Sequence, residues 1–291
     1  MLTQLSNQIA DVVAQAAPSV VQVQGHGRPA SGLVYAPGIV VTTARAVGRE
    51  EHPRVRRADG EVLEAEVAGW DPVTRLAVLT VAGIDGPLAA PTAPARVGEI
   101  AVALARSWSN ALTATAGLVS VIGGPLPTGR RRAIEQVIRT SAPMHEGFSG
   151  GALVGADGRL LGVTTAAAIR GLGVVIPAAI AWKAAADVLQ RGTVKRGYLG
   201  IAAQPVSVPE KQKALVGASE ALLVVGVKDG TPAADAGLLV GDLLIALDGH
   251  ALASPEELLD LLSGERVGQR VALRVLRGGV PVEAEVTVAE R

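Results

Sequence analysis

The chain has 291 residues, 49% of them apolar and 19% charged; that leaves room for about two domains with proper cores and excludes disorder by composition. Lys and Arg number 27, as do Asp and Glu; the one basic run is Arg130-Arg131-Arg132 and aromatics make up 2%, so neither a nucleic-acid footprint nor a base-stacking platform is present. Cysteine is absent, which removes disulfides, thiolate catalysis and cysteine zinc sites, and the four histidines (His26, His52, His145, His250) never stand at metal-ligand spacing.

At the start of the chain, Leu2, Leu5, Ile9, Val12, Val13 and Ala16 recur at helical spacing, so residues 2–16 are expected to form an amphipathic helix that Pro18 ends. Asp11 interrupts the apolar pattern and no basic start precedes it, so this segment reads as neither a signal peptide nor a membrane span. Short apolar runs follow, from "SVVQVQG" through "SGLVYAPGIVVTT", "LAVLTVAG" and "EIAVALA" to "GLGVVIP", with "ADGE" and "ADGR" as hairpin turns. Many short strands without intervening helices predict a mostly β fold, a barrel or sandwich. Helical periodicity returns over residues 178–191, with Gly192 as the expected C-cap. Beyond it, strands "YLGIAAQPV", "ALLVVGV", "LLIALDG", "RVALRVLRGG" and "VEAEVTVAE" alternate with short helices at "TPAADAG" and "SPEELLDLLSG". This is a second, smaller α+β domain. The boundary falls near residues 192–196, giving domains over 1–192 and 196–291.

The chemistry concentrates in "MHEGFSGGALV", residues 144–154, where Ser149 stands on a glycine-flanked turn before an apolar strand. A serine hydroxyl needs a base to take its proton before it attacks. Gly147-Phe148-Ser149-Gly150-Gly151, the "ADGRLLGV" turn and "GVVIP" resemble the nucleophile region of trypsin-like serine proteases, and more specifically of the HtrA/Deg family. "PSVVQV", "SGLVYAPGIVVTTARAV", "DPVTRLAVLTV", "ATAGLVS" and "KRGYLGI" fall in the order and spacing of that family. The resemblance implies a chymotrypsin-type double β-barrel followed by a PDZ domain. It also implies peptide or unfolded-protein ligands, action outside the cytoplasm, trimers formed through the N-terminal segment, and no cofactor. Active HtrA relatives are further candidate partners.

In the family the catalytic histidine follows the strand that reads "GIVVTT" here, and the matching residue is Arg45; the catalytic aspartate precedes "LAVL", and the matching residue is Arg75. A guanidinium has five donors, no acceptor and a pKa above about 12, so it cannot serve as a general base. Inward-facing, the two cations would repel; they are expected to turn to solvent or to hold an anion. Phe148 replaces the polar residue of the trypsin-like pattern and is expected to pack in the core or fill the pocket. Gly147 and Ser149 are the resemblance's oxyanion-hole donors. An alternative keeps the enzyme active, with His145 as an unorthodox base beside Glu146.

In the second domain the resemblance makes Tyr198, Leu199, Gly200 and Ile201 a carboxylate-binding loop of successive N–H groups. Ser254 and Glu257 form a capping box for the helix that follows. Leu258 and Leu262, one turn apart, line either the ligand pocket or the domain core. Asp71 before Pro72 reads as a turn former, and the triple arginine as a solvated loop.

Overall fold

The structure is a computed structural model describing residues 2–25, 28–48, 50, 52–86, 93–106, 108–129, 132–191, 197–262 and 266–290. His26, Arg130, Arg131, the Gly192 cap and the 192–196 boundary lie outside these residues. By chain contacts the molecule divides into two compact units, Met1–Thr193 and Val194–Arg291.

The first unit begins with helix α1 (Leu2–Ala16), followed by β1 (Val20–Gln24), β2 (Ala30–Ala36) and β3 (Ile39–Thr43). A single-turn helix α2 (Ala44–Val47) precedes β4 (Arg54–Arg56), β5 (Val62–Trp70) and β6 (Leu76–Val81). These six strands close into a barrel in the order β1-β2-β3-β6-β5-β4. Val21, Val23, Val34, Val40, Val55 and Leu79 fill it. A second set comprises β7 (Ile100–Arg106), β8 (Leu112–Gly123), the short pair β9 (Leu126–Gly129) and β10 (Arg132–Ile134), then β11 (Val137–Thr140), β12 (Ala152–Gly155), β13 (Leu160–Ile169) and β14 (Leu172–Pro177). All but the short pair close a second barrel, β11-β14-β13-β12-β7-β8. The fold is therefore mostly β, a trypsin-like double barrel. The "ADGE" turn joins β4 to β5 and the "ADGR" turn joins β12 to β13, each with its glycine at positive φ, 94° and 83°.

Helix α3 (Ala178–Arg191) closes the unit. Val12 and Ala16 of α1, Ala181 and Val188 of α3, Leu33 of β2 and Leu104 of β7 belong to one buried cluster, so both helices turn their apolar stripes onto the barrels. Arg106, at the end of β7, is buried. Its guanidinium donates to the carbonyls of Val20 and Asn110 at 2.8 and 3.0 Å, and burial lowers its pKa.

The second unit contains β15 (Gly197–Tyr198), β16 (Ile201–Ser207), α4 (Glu210–Val216), β17 (Glu220–Val227), α5 (Pro232–Asp235), β18 (Leu243–Leu247) and β19 (His250–Ala251). Then come α6 (Pro255–Leu262), β20 (Arg270–Arg277), β21 (Val280–Thr287) and β22 (Ala289–Glu290). The main sheet runs β16-β17-β18-β20-β21, with β16 at one edge. Helix α4 was not foreseen: its seven residues sit between Pro209 and a left-handed Gly217, too short to show a period. The capping box of α6 forms, with Ser254 Oγ accepting from Glu257 N–H at 3.2 Å. The Glu257 carboxylate returns one residue further back than expected, to Ala253 N–H at 2.8 Å.

Candidate active site

Ser149 follows a single 3-10 turn, Glu146–Phe148. The turn is pinned from several sides. Ser31 Oγ donates to Gly147 O at 2.8 Å, Ser31 N–H donates to Ser149 O at 2.9 Å, and Thr164 Oγ1 donates to Phe148 O. Gly150 carries φ 83°, and a Cβ there would meet Ser31 O at 2.2 Å, so no other residue fits. Phe148 is fully buried among Ala101, Ala103, Ala105, Leu153 and Val175, which anchors the turn in the second barrel.

Ser149 Oγ sits 2.7 Å from Thr43 Oγ1. Thr43 also caps α2, accepting from Ala46 N–H at 3.2 Å. The partner of the serine is thus another neutral hydroxyl, two residues before Arg45. The two N–H groups named for an oxyanion hole are committed within the turn: Gly147 N–H donates to His145 Nδ1 at 3.0 Å and Ser149 N–H donates to Glu146 O at 3.1 Å. A hydrogen bond already made is unavailable to a developing oxyanion until the turn opens.

Arg45 turns outward. Its Nη2 donates to Glu146 Oε1 at 3.1 Å while its side chain is 73% exposed. Arg28 approaches the same carboxylate at 3.8 Å and lies over the exposed Trp108 ring, 5.9 Å from its centroid. Arg75 takes a left-handed backbone, φ 58°, and its Nη2 donates to Thr128 O at 2.8 Å. Its own carbonyl accepts from Ala44 N–H at 2.8 Å, which ties the Arg75 turn to the residue before Arg45. Asp71 accepts from Thr74 N–H at 2.7 Å and from Thr74 Oγ1 at 2.8 Å, the turn former expected from the sequence.

His145 caps the 3-10 turn, stacks edge-on against Phe148 with centroids 4.9 Å apart, and lies 5.8 Å from Trp108. Because Nδ1 accepts from Gly147 N–H, the neutral ring carries its proton on Nε2 and offers no second lone pair. The sequence reading missed Thr43, Ser31 and Trp108. Thr43 had a signal, a threonine directly before a one-turn helical segment. Ser31 and Trp108 had none, because their roles rest on long-range contacts.

In the second unit Gly200 has φ 87°, and a Cβ there would strike Thr231 at 2.3 Å. The carbonyls of Leu199 and Gly200 turn into the fold, accepting from Ala233 and Lys228 N–H at 2.8 and 2.9 Å. Among the described residues, the N–H groups of Leu199 and Gly200 carry no hydrogen bond. Tyr198 lies in β15, paired with Ala289, and Ile201 opens β16. Leu258 and Leu262 are buried in the cluster that holds Leu199.

Comparison with known proteins assigns both units. A trypsin-like peptidase domain model matches residues 30–163 and a PDZ domain model matches residues 197–288. The chain is 30% identical over 305 residues to the serine endoprotease DegS of Escherichia coli K12, covering 96% of this chain and 84% of that protein. It is 30% identical to the periplasmic pH-dependent serine endoprotease DegQ of the same organism, covering 86% of this chain and 56% of that one. Among solved structures, the HtrA-type protease AlgW with a decapeptide matches at TM-score 0.56 and 25% identity, covering 97% of this chain and 98% of AlgW. A serine endoprotease from Yersinia pestis matches at TM-score 0.54 and 28% identity, covering 98% and 97%. With both domain types in the same order and a relative matched over most of both lengths, the chain belongs to the HtrA family of trypsin-like serine proteases with a PDZ domain.

Proposed function

We propose that this chain is a peptide-binding member of its family whose protease unit does not cleave. The observation that carries the reading is the 2.7 Å pairing of Ser149 Oγ with Thr43 Oγ1, a hydroxyl that cannot accept a proton at neutral pH. Arg45 and Arg75 supply only donors. Loss of triad members costs about a million-fold in turnover in well-studied serine proteases. The Gly147 and Ser149 N–H groups, committed within their turn, add to the deficit.

Binding in this reading belongs to the second unit. Two adjacent N–H groups at Leu199 and Gly200, held by a glycine at positive φ, form a nest for the carboxylate at the end of a peptide or an unfolded protein. The peptide adds as a strand beside β16 at Ile201, with Tyr198 at the loop's start. Assembly as a homotrimer through the N-terminal segment is part of the proposal. Since Val12 and Ala16 are buried within their own unit, the exposed Leu2 end of α1 is what remains for a neighbour. Active relatives are candidate partners of such a trimer.

Incubation with unfolded casein and with a fluorophosphonate probe tests the reading. The expected result is neither fragments nor a Ser149 adduct. Cleavage that disappears in Ser149→Ala would establish an active endopeptidase, and its loss in His145→Ala would identify the unorthodox base.

A further inference from the structure

Beside the Ser149 turn, the first unit carries a surface that peptide binding at the second unit does not use. Arg45 Nη2 meets Glu146 Oε1 at 3.1 Å and Arg28 Nη1 approaches Glu146 Oε2 at 3.8 Å, so guanidiniums from two separate segments share one carboxylate. Each has five donors, and Glu146 is the one carboxylate either meets among the described residues. Arg75 takes no part, since its guanidinium is given to Thr128 O. A third cation, Arg106, stands at the root of the 106–112 hairpin, paired with Leu112, and donates only to the carbonyls of Ala17, Val20 and Asn110. Ser31 joins it to the same turn: Ser31 Oγ accepts from Arg106 N–H at 2.9 Å and donates to Gly147 O at 2.8 Å. Cations therefore outnumber carboxylates on and under this surface.

Trp108 sits at the tip of that hairpin, 60% exposed. The tip is held in place. Its backbone is left-handed at φ 33°, rare for a bulky residue, and its carbonyl accepts from Gln22 Nε2 at 3.2 Å; Asn110 is also left-handed, at φ 60°. Arg28 and His145 reach the ring at 5.9 and 5.8 Å. An exposed tryptophan beside an arginine is a combination that anchors protein interfaces. We propose that Arg28, Arg45 and Trp108 form a docking site for an acidic side chain of a protein segment, a site that Glu146 fills until such a segment arrives. The chain's own carboxylate shows the fit, because it already lies between the two guanidiniums. Its pairing is exposed and therefore weak, so exchange for an external carboxylate is nearly neutral in free energy. The gain comes from an apolar neighbour of the acidic residue covering the Trp108 ring, which an inorganic anion cannot supply. Exchange moves only the Glu146 side chain, since Gly147 O and Phe148 O keep their bonds to Ser31 and Thr164.

The test uses the full chain and short peptides, acetylated and amidated, with a central glutamate flanked by leucine or phenylalanine. The blocked ends deny the second unit a terminal carboxylate. In calorimetric titration the better glutamate peptide should bind at least about five-fold tighter than its glutamine counterpart and than inorganic phosphate, and should weaken in high salt. Arg28→Ala and Arg45→Ala should each weaken it by about two- to five-fold, and Trp108→Ala by about five-fold. Glu146→Gln removes the internal competitor and should tighten it by about three- to ten-fold, a gain that a merely structural Glu146 would not give. Equal affinity for the glutamate and glutamine peptides, phosphate binding as tight as the peptide, or no binding by any peptide overturns the inference. So does binding that both arginine variants leave unchanged, or that Glu146→Gln fails to tighten. Each of these results leaves the second unit's reading standing, because that reading is judged by peptides with free C-termini.

Discussion

The two units hold two loops of similar make-up, and treat them oppositely. Around Ser149, a glycine-rich turn has its N–H groups bonded inward, to His145 Nδ1 and to Glu146 O. Around Gly200, a glycine-rich turn has its carbonyls bonded inward and two consecutive N–H groups left unbonded among the described residues. The difference lies in what fixes each loop. Phe148 drives the first into the barrel core, and the chain closes into a 3-10 turn over it. The second is fixed by Gly200 itself against Thr231, with Ala233 and Lys228 taking the carbonyls. On the reading proposed above, a glycine-rich loop can receive an anion only when its carbonyls, rather than its amides, are used to hold it.

The largest effect that tests this contrast is Phe148→Ala. Emptying a fully buried aromatic site is expected to cost the first unit about 3–5 kcal/mol, read from denaturant midpoints or amide exchange in β12 and β13. A loss under about 1 kcal/mol would mean that the turn is held by its hydrogen bonds alone. The second unit has its own anchor. Asp242, only 2% exposed, accepts Arg277 Nε and Nη2 at 2.8 and 2.7 Å and Leu239 N–H at 2.9 Å. The Arg277 hydrogen bonds hold its carboxyl below the ordinary range, against the upward pull of burial. Asp242→Asn breaks this pair and should cost about 3 kcal/mol at neutral pH, visible as faster amide exchange in β17 and β20. Because the folded carboxyl is the more acidic, its stabilisation is complete above the unfolded value of about 3.9 and is lost as pH falls through the lower folded value. The gap between native chain and Asp242→Asn should therefore close at the acid end. A gap that stays constant to pH 2 would contradict the pairing.

Much of this contrast was legible before any coordinates. The double barrel and the PDZ domain follow from the order of the motifs, and the resemblance sets Arg45 and Arg75 where the family carries a base and its orienter. The burial of Phe148 was one of the two outcomes expected for an aromatic in a small-residue turn. The Thr43–Ser149 pair was not legible, because 106 positions separate the two hydroxyls and only the meeting of the barrels joins them. Nor was the bend of His145 back onto Gly147, since histidine is not an ordinary capping residue and a two-residue return depends on backbone angles rather than residue type. Helix α4 escaped because seven residues carry too little periodicity.

Thr43→Val comes next in size. It removes the cap of α2 and the partner of Ser149 together, for an expected loss of about 1–2 kcal/mol in thermal or denaturant unfolding. Fluorophosphonate labelling of the variant should remain absent, because valine adds no base. Labelling would show that Thr43 restrains a competent serine, and would bring the two loops closer in kind than their geometry suggests.

The smallest effect decides what keeps the Ser149 turn closed. Arg45 and Glu146 make an ion pair beside the Ser149 turn, yet their side chains are 73% and 57% exposed. Exposed pairs are worth little and are screened by salt. Arg45→Ala should therefore change stability by less than about 0.5 kcal/mol, and that small change should vanish in 1 M salt. His145→Ala removes the acceptor for a buried glycine's N–H and the edge-on contact with Phe148, and should cost about 1–2 kcal/mol regardless of salt. If the order were reversed, with the arginine dominant and salt-sensitive, the turn would be held by surface charge. An acidic ligand could then open it, and the contrast between inward-bonded and unbonded amides would hold only until such a ligand arrived.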